Sequence, residues 1–548
     1  MNLFSGPFFL AASNISSKKL LLLLWQCTSI KMRIIIPLII LLVCFLGSSE
    51  QALSQRKAPL RVELNANLDM ENYNIVPCGE NGLLVFFESE KRGSGIDTRI
   101  WHFALYSKNM QQQWLADTAL ITGVKFKAFV HGDNNTYLLF MDVDKQKSQH
   151  NIQILKIDYH INKLELFNAS GPEKSEPVHF SLHHENAIIA FNNSRFEPSL
   201  QFIDLLSGSS KQIKPEIEGL NIIQDIHYDT EDDKIFVIVE NYLGKKQNAI
   251  LILQLDKAGQ HENTYKINPA MEKKVMNEAR IAYSAGDTLL IMGTYSNDAS
   301  RVSDNDDETG PETAGFFVTR FEGEKEVYIN YYNFLEFEEM FRSLSSKTIA
   351  DLRKKAEKQK SKGEEYSLEY TLLLHDVIPF KGNFVLLAEA YYPEYRTVTN
   401  MYYDYYGRPI PQTYTVFDGY NYISGLVGAF SADGKLVWND GVEIRDILTF
   451  KLSRYMETFV KQDELAFFYS SQNKLYYQIA SADEEENKLQ NIAIESKYKG
   501  DKLMEDLGSK MMHWYGSYFI CYGYQKIKNN RISGGKRTVF YFNKLAFK

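Results

Sequence analysis

The sequence predicts an all-β chain of repeated antiparallel sheets, on three observations: eight short apolar runs along its length, seven turn segments that follow them, and an unmatched extended segment near each end. The runs are "LLVFF" (83–87), "YLLFM" (137–141), "AIIAF" (187–191), "KIFVIV" (234–239), "TLLIM" (288–292), "NFVLLA" (383–388), "ELAFFY" (464–469) and "SYFICY" (517–522). Each is too short for a buried helix and rich in β-branched and aromatic residues. Most follow a turn such as "GEN", "GDNN", "TEDD", "SAGD" or "FKG", so each reads as a strand covered on both faces.

A second strand and a hairpin into a third follow each run. The hairpins align as "LYSKNMQQQW", "IDYHINKLEL", "IDLLSGSSKQI", "LDKAGQHENTY", "RFEGEKEVYI", "FSADGKLVW" and "ASADEEENKL". The last unit runs through "RTVFYFNKLAF" to Lys548 without a final strand, while "APLRVELNAN" (58–67) precedes the first unit and has no place inside it. Both oddities fit a β-propeller of eight four-stranded blades, in which the N-terminal segment supplies the outer strand of the last blade. The expected pairing is 59–66 with the strand around 537–547. Setting aside about 80 residues of insertion leaves about 51 per unit, a propeller-sized repeat. A seven-bladed ring with one irregular unit is the alternative.

The hairpin "AFSADGKLVW" (429–438) resembles the strand, Asp-x-x-Gly, Trp signature of quinoprotein-type propeller repeats. The likeness covers only these hairpins. Here the spacing is Asp-Gly, and a tryptophan closes the hairpin only at Trp114 and Trp438. The resemblance implies the fold; quinone ligands do not map onto this chain residue by residue, and no cofactor is expected.

Residues 1–54 read as a targeting segment. "MRIIIPLIILLVCFLGSSEQALS" (32–54) has a positive start, an apolar run of about 13 residues and small residues at Ala52 and Ser54, as a secretory signal requires. Pro37 and the shortness of the run argue against a retained span, and Val43 before Cys44 argues against lipidation. The remaining chain, 55–548, is then exported, to the periplasm, the outer surface or the medium, and has no stable membrane span after processing. It keeps Cys78 and Cys521, which an oxidising compartment would allow to pair. Two buried free thiols on adjacent blades is the preferred expectation, because Cys521 sits mid-strand.

With a formal net charge of -8 and no dense basic block outside one short segment, nucleic acid is not an expected partner. Three insertions interrupt the repeats: an acidic loop (296–313), a stretch with helical spacing of Phe334, Phe337, Phe341 and Leu344 (334–368), and a tyrosine-rich loop (391–423). Strand counting puts all three on one rim of two neighbouring blades. The third holds ten of the 34 tyrosines within 391–422. Tyrosine gives large rigid contact area and a hydroxyl, which suits protein interfaces and sugar stacking. Tyr392, Tyr395, Tyr402, Tyr403, Tyr405, Tyr406, Tyr414, Phe417 and Tyr420 are therefore the candidate binding residues; packing over the helical insertion is the competing account.

No catalytic or metal-ligating set stands out. "DNDDETG" (304–310) spaces acids like a calcium loop, but its glycine is one place late and no bidentate Glu follows. Glu88, Asp142, Glu240 and Glu389 each end an apolar run and would ring the insertion rim, where strand ends ordinarily meet water. "HHE" (183–185) lacks the second histidine of a metalloprotease helix. The leading expectation is a non-catalytic propeller binding a protein or glycan of the cell envelope. The alternatives are a hydrolase or lyase acting on polysaccharide or peptide at the channel mouth, and a structural part of an envelope assembly. A cluster of His, Arg and carboxylate in the channel would favour the enzyme; an aromatic rim would favour binding.

Overall fold

The computed structural model describes residues 60–67, 72–95, 97–142, 150–244, 247–267, 274–297, 310–337, 340, 354–355, 357–358, 361, 368–480, 487–531 and 535–547. The targeting segment, the acids of the 304–310 stretch and most of 334–368 lie outside them.

The described strands form eight antiparallel sheets in chain order. The first is Asn74–Pro77, Leu83–Arg92, Thr98–Tyr106 and Gln112–Ile121. The next six repeat this up-and-down order, with second strands Asn135–Asp142, Asn186–Asn193, Lys234–Gly244, Thr288–Ser296, Asn383–Tyr403 and Glu464–Ser471. All eight apolar runs lie in second strands, and each buries a continuous stretch on both faces: Leu83–Phe86, Tyr137–Met141 and Ala187–Phe191 are examples. The seven hairpin segments all join third to fourth strands.

Each sheet packs on the next. Phe86 and Phe103 share a core cluster with Leu138 and Phe140, Leu139 with Ile189, Ala190 with Val237, and Ile252 with Ile291. Met292 and Phe316 share one with Leu386, Leu387 with Phe467, Phe468 with Phe519, and Ile520 and Phe540 with Leu83 and Val85. Burying a residue such as Phe or Leu in these contacts contributes about 1.5–3 kcal/mol. These stacked antiparallel sheets, six of them four-stranded, fit a β-propeller.

In the eighth sheet, Lys510–Tyr515, Tyr518–Lys528 and Lys536–Ala546 are joined at the outer edge by Leu60–Asn65. Leu60 stands opposite Lys544 and Asn65 opposite Val539. Arg61 locks this edge: it donates to Glu63 at 2.8 Å, Asn543 at 3.1 Å and Gln525 at 2.9 Å, and lies 4.1 Å over the Tyr541 ring. Arg537 donates to Glu63 at 3.0 Å and to Asp501 at 2.6 Å.

Cys78 and Cys521 are buried and unpaired, in the first and eighth sheets respectively. Burial pushes each thiol up to about 11, so neither is a ready nucleophile.

The 334–368 stretch begins differently from its helical spacing. Phe334–Glu336 is a single 3₁₀ turn whose Asn333 cap accepts from the Leu335 backbone and pairs with Glu336 in a capping box. Phe334, Phe337 and Met340 are buried between the fifth and sixth sheets. The start of this insertion is therefore core, where the helical spacing of Phe334 and Phe337 suggested a helical piece on the rim.

Candidate functional site

The tyrosine-rich insertion is an extended hairpin, as the alternation in "TYTVFDGYNY" suggests. It is the outward continuation of two strands, Asn383–Tyr403 and Pro409–Phe430, paired as one hairpin to its tip. Asp404 makes the turn: its Oδ1 accepts from the Tyr406 and Arg408 backbone at 2.9 and 2.8 Å, and Gly407 takes φ +75°. From Tyr395 to Tyr403 and Pro409 to Phe417 the strands pair only with each other, because the Leu436–Glu443 and Leu448–Thr449 strands stop at Ser424 and Tyr420. Pro409 and Pro411 cost no sheet bond on such an unflanked ribbon.

Register sorts the candidate residues. Tyr395 and Phe417 face each other, as do Met401 and Pro411, so these four share one face with Tyr403. Tyr402 opposite Ile410, and Val398 opposite Tyr414, occupy the other. Both faces therefore carry apolar side chains. Tyr402, Tyr403, Tyr405 and Tyr406 crowd the tip, and Tyr405 is 97% exposed. Tyr392, Tyr395 and Tyr414 are exposed lower down. Phe417 and Tyr420 are half-buried at the base, 5.0 Å apart, with Tyr391 and Phe450 extending the aromatic shelf. All nine predicted residues thus lie on one projecting hairpin. Whether they pack on the helical insertion turns on residues outside the described set.

The four carboxylates do not form a solvated ring, and two of them, Glu389 and Asp142, correct the expectation that they meet water. Glu389 is 0% exposed: it accepts from the Tyr455 backbone at 2.8 Å and the Met456 backbone at 2.8 Å, with His375 Nε2 at 2.6 Å. It therefore pins the connection entering the seventh sheet. Glu240 accepts from Gln224 and Asn248, both at 3.2 Å, and burial pushes its carboxyl up to about 7. Asp142 is buried against His150 Nδ1 at 2.7 Å. Glu88, like Glu240, keeps some exposed surface, and it pairs with Lys125 at 2.8 Å. The strands of Glu389 and Glu240 continue past their apolar runs, and of these two only Glu389 reaches across to the next sheet.

A second feature was invisible in the sequence. Charged residues on or beside the first strands of consecutive sheets form a series: His179 Nδ1 lies 2.9 Å from Asp225, Asp225 lies 3.6 Å from Arg280, Arg280 lies 3.6 Å from Asp376, and Asp376 lies 3.3 Å from Arg454. The series spans the third to the seventh sheet. Asp376 sits where the sixth sheet's first strand breaks between Leu374 and Ile378, and it is largely exposed. Burial works to raise Asp225, but the His179 hydrogen bond and Arg280 outweigh it and hold the carboxyl low. Beside it, burial raises Glu278 against the pull of Arg280 and Arg454. Glu457, at the start of the seventh sheet, is pushed up to about 7 by burial. Such a set can bind ions or move protons. Its members are up to 275 positions apart in sequence, and only single polar residues within "DIHYD", "NEARIAY" and "LLHDVIP" hint at it.

No family model matches the chain, and no curated protein does. Among solved structures it is similar to Saccharomyces cerevisiae Sqt1, at 9% identity over 88% of this chain and 97% of that one, TM-score 0.41. It is also similar to the polysaccharide lyase Uly1, at 10% identity over 77% and 90%, TM-score 0.38. The β-propeller domain of the Trilobed protease from Pyrococcus furiosus overlaps at 9% identity over 77% and 95%, TM-score 0.32. At such overlaps the fold assignment rests on the sheet pairing described above.

Proposed function

We propose that this protein is an exported, eight-bladed β-propeller, closed by its N-terminal strand, that binds a protein or glycan of the cell envelope through its insertion-bearing rim. The observation that carries the reading is the unflanked ribbon with apolar side chains on both faces and four tyrosines at its tip. Exposed aromatic side chains gathered on one projection are what recognition surfaces use. The compartment rests on the leader-like 32–54 segment alone. Among the described residues no helix is long and apolar enough to cross a membrane.

The test replaces 394–419 by a short turn and measures binding of the purified chain to cell envelopes, untreated, protease-treated or periodate-treated. The expected result is a thermal midpoint within about 4 °C of the parent, since rim elements add little to the stacked core, and a loss of binding of about tenfold or more. Protease sensitivity of the envelopes would indicate a protein ligand and periodate sensitivity a glycan. Unchanged binding by the shortened chain would refute the reading, and failure to fold would make the tyrosines core.

The second reading, a hydrolase or lyase acting on polysaccharide or peptide, is favoured by the His179, Asp225, Arg280, Asp376, Arg454 series. It ranks second because the members of that series are engaged with one another. If the series is catalytic, Asp376→Asn should abolish release of new chain ends from envelope polysaccharide or peptide while leaving binding to the ribbon intact. No such release by the parent chain counts against it.

A further inference from the structure

We propose that His183, His184 and Asp233 bind one divalent transition-metal ion of the zinc, nickel and copper class. The three sit at adjacent turns between first and second strands, in the third and fourth sheets. That edge is opposite the one from which the tyrosine hairpin projects, so the site is separate from the proposed ligand surface.

Neighbouring residues on a strand point to opposite faces. Here His184 leaves the strand with φ +48°, and its ring comes within 4.5 Å of the His183 ring, centroid to centroid. Asp233, at φ +57°, closes the group from the next sheet: its Oδ1 is 3.1 Å from His184 Nε2 and 3.6 Å from His183 Nε2. One ligand atom from each residue lies within 4.8 Å of the others. Ligands held about 2.0–2.2 Å from a tetrahedral ion stand about 3.3–3.6 Å apart, so the two measured separations need little adjustment. Two imidazoles and a carboxylate suit zinc, nickel or copper and leave further positions open to water or a ligand.

The independent sign is His183 itself. It is 2% exposed, yet neither ring nitrogen has a hydrogen-bond partner. A buried imidazole with both nitrogens unsatisfied is unusual in a folded protein, and coordination through Nε2 would satisfy one of them. The surroundings already orient the set. Tyr228 packs on the His183 ring at 4.0 Å and donates its hydroxyl to Asp233 Oδ1 at 2.5 Å, the second tier of contacts that fixes metal ligands. Lys257 Nζ, 4.0 Å from Asp233 Oδ2, opposes a cation, but it is a long exposed side chain free to swing aside.

The experiment uses an untagged 55–548 chain stripped with chelator and titrated calorimetrically with zinc chloride and then nickel chloride. The expected result is saturation at one equivalent, a raised thermal midpoint with metal, and a loss of affinity of about tenfold or more in His184→Ala and in Asp233→Asn. Both positions are at least partly exposed, so these variants should fold with metal-free midpoints like the parent's. Lys257→Ala should bind several-fold more tightly, which a purely structural contact would not produce. Absence of saturable binding at one equivalent, or undiminished affinity in His184→Ala and Asp233→Asn, would overturn the proposal.

Discussion

A chain that starts at residue 68 should fail to give a stable monomer. Deleting Leu60–Asn65 strips the outer strand from Lys536–Ala546 and leaves a long unpaired edge, a template for pairing with other chains. The loss goes beyond backbone bonds. Arg61 and Glu63 have almost no exposed side-chain surface. Without them, the Asn543 and Gln525 side chains lose the guanidinium they bond, and Arg537 loses one of its two carboxylates. A hydrogen bond to a charged group contributes about 1.5–3 kcal/mol, so losing several together removes a large part of the whole stability of an ordinary domain. Gel filtration should show aggregates, and the denaturant midpoint of any soluble fraction should fall steeply. Adding the peptide "APLRVELNAN" should restore monomer in part by supplying the missing strand. A truncated chain that is monodisperse and as stable as the parent would dismiss both the role of this strand and the ring closure proposed on it.

The second large effect is expected at Glu389. Glu389→Ala should destabilise the protein by about 3–5 kcal/mol, because it strands the backbone N–H groups of Tyr455 and Met456 together with His375 in a site closed to water. Glu389→Gln, which keeps one acceptor and the shape, should cost about 1–3 kcal/mol. Urea unfolding of the two variants beside the parent decides it: a midpoint for Glu389→Ala equal to the parent's means that these bonds are not holding the sixth sheet to the seventh. The cost in Glu389→Gln matters as much as that in Glu389→Ala, since the amide keeps the volume and a mere packing defect would leave it near the parent.

What the sequence revealed, and what it hid, follows from the range of the interactions. "YLLFM" and its seven counterparts were legible as second strands because a strand buried on both faces leaves a contiguous apolar mark. The hairpins were legible because turn chemistry is local, as at "FSADGKLVW". The place of 58–67 followed from a count, seven hairpins for eight runs. Glu389 and Asp142 were misplaced because a carboxylate after an apolar run looks like the point where a strand meets water. Their partners, Tyr455 and His150, come from other strands or connections that no local pattern announces. Phe334 and Phe337 carry helical spacing yet fill the gap between two sheets. The charged series across the first strands was hidden for the same reason, one residue per sheet. The aromatic hairpin was the most legible part of the site, since its composition alone set it apart; its continuity as paired strands needed the register.

The bond between Arg61 and Asn543 joins residues 482 positions apart. Seven sheets are meanders whose strands find one another within about 50 residues; the eighth has a seam. Lengthening a closure from about 50 to 482 residues costs only about 2 kcal/mol in chain entropy, at about 0.6 kcal/mol per doubling. The penalty is in time, because contacts of such separation form late. A molecule caught before that step has one open slot at the edge of its eighth sheet, shaped to accept six residues of sequence "LRVELN". Any second copy carries the same six residues, so crowding during assembly favours exchange of this strand between molecules, and the seam is the point at which one chain would become two.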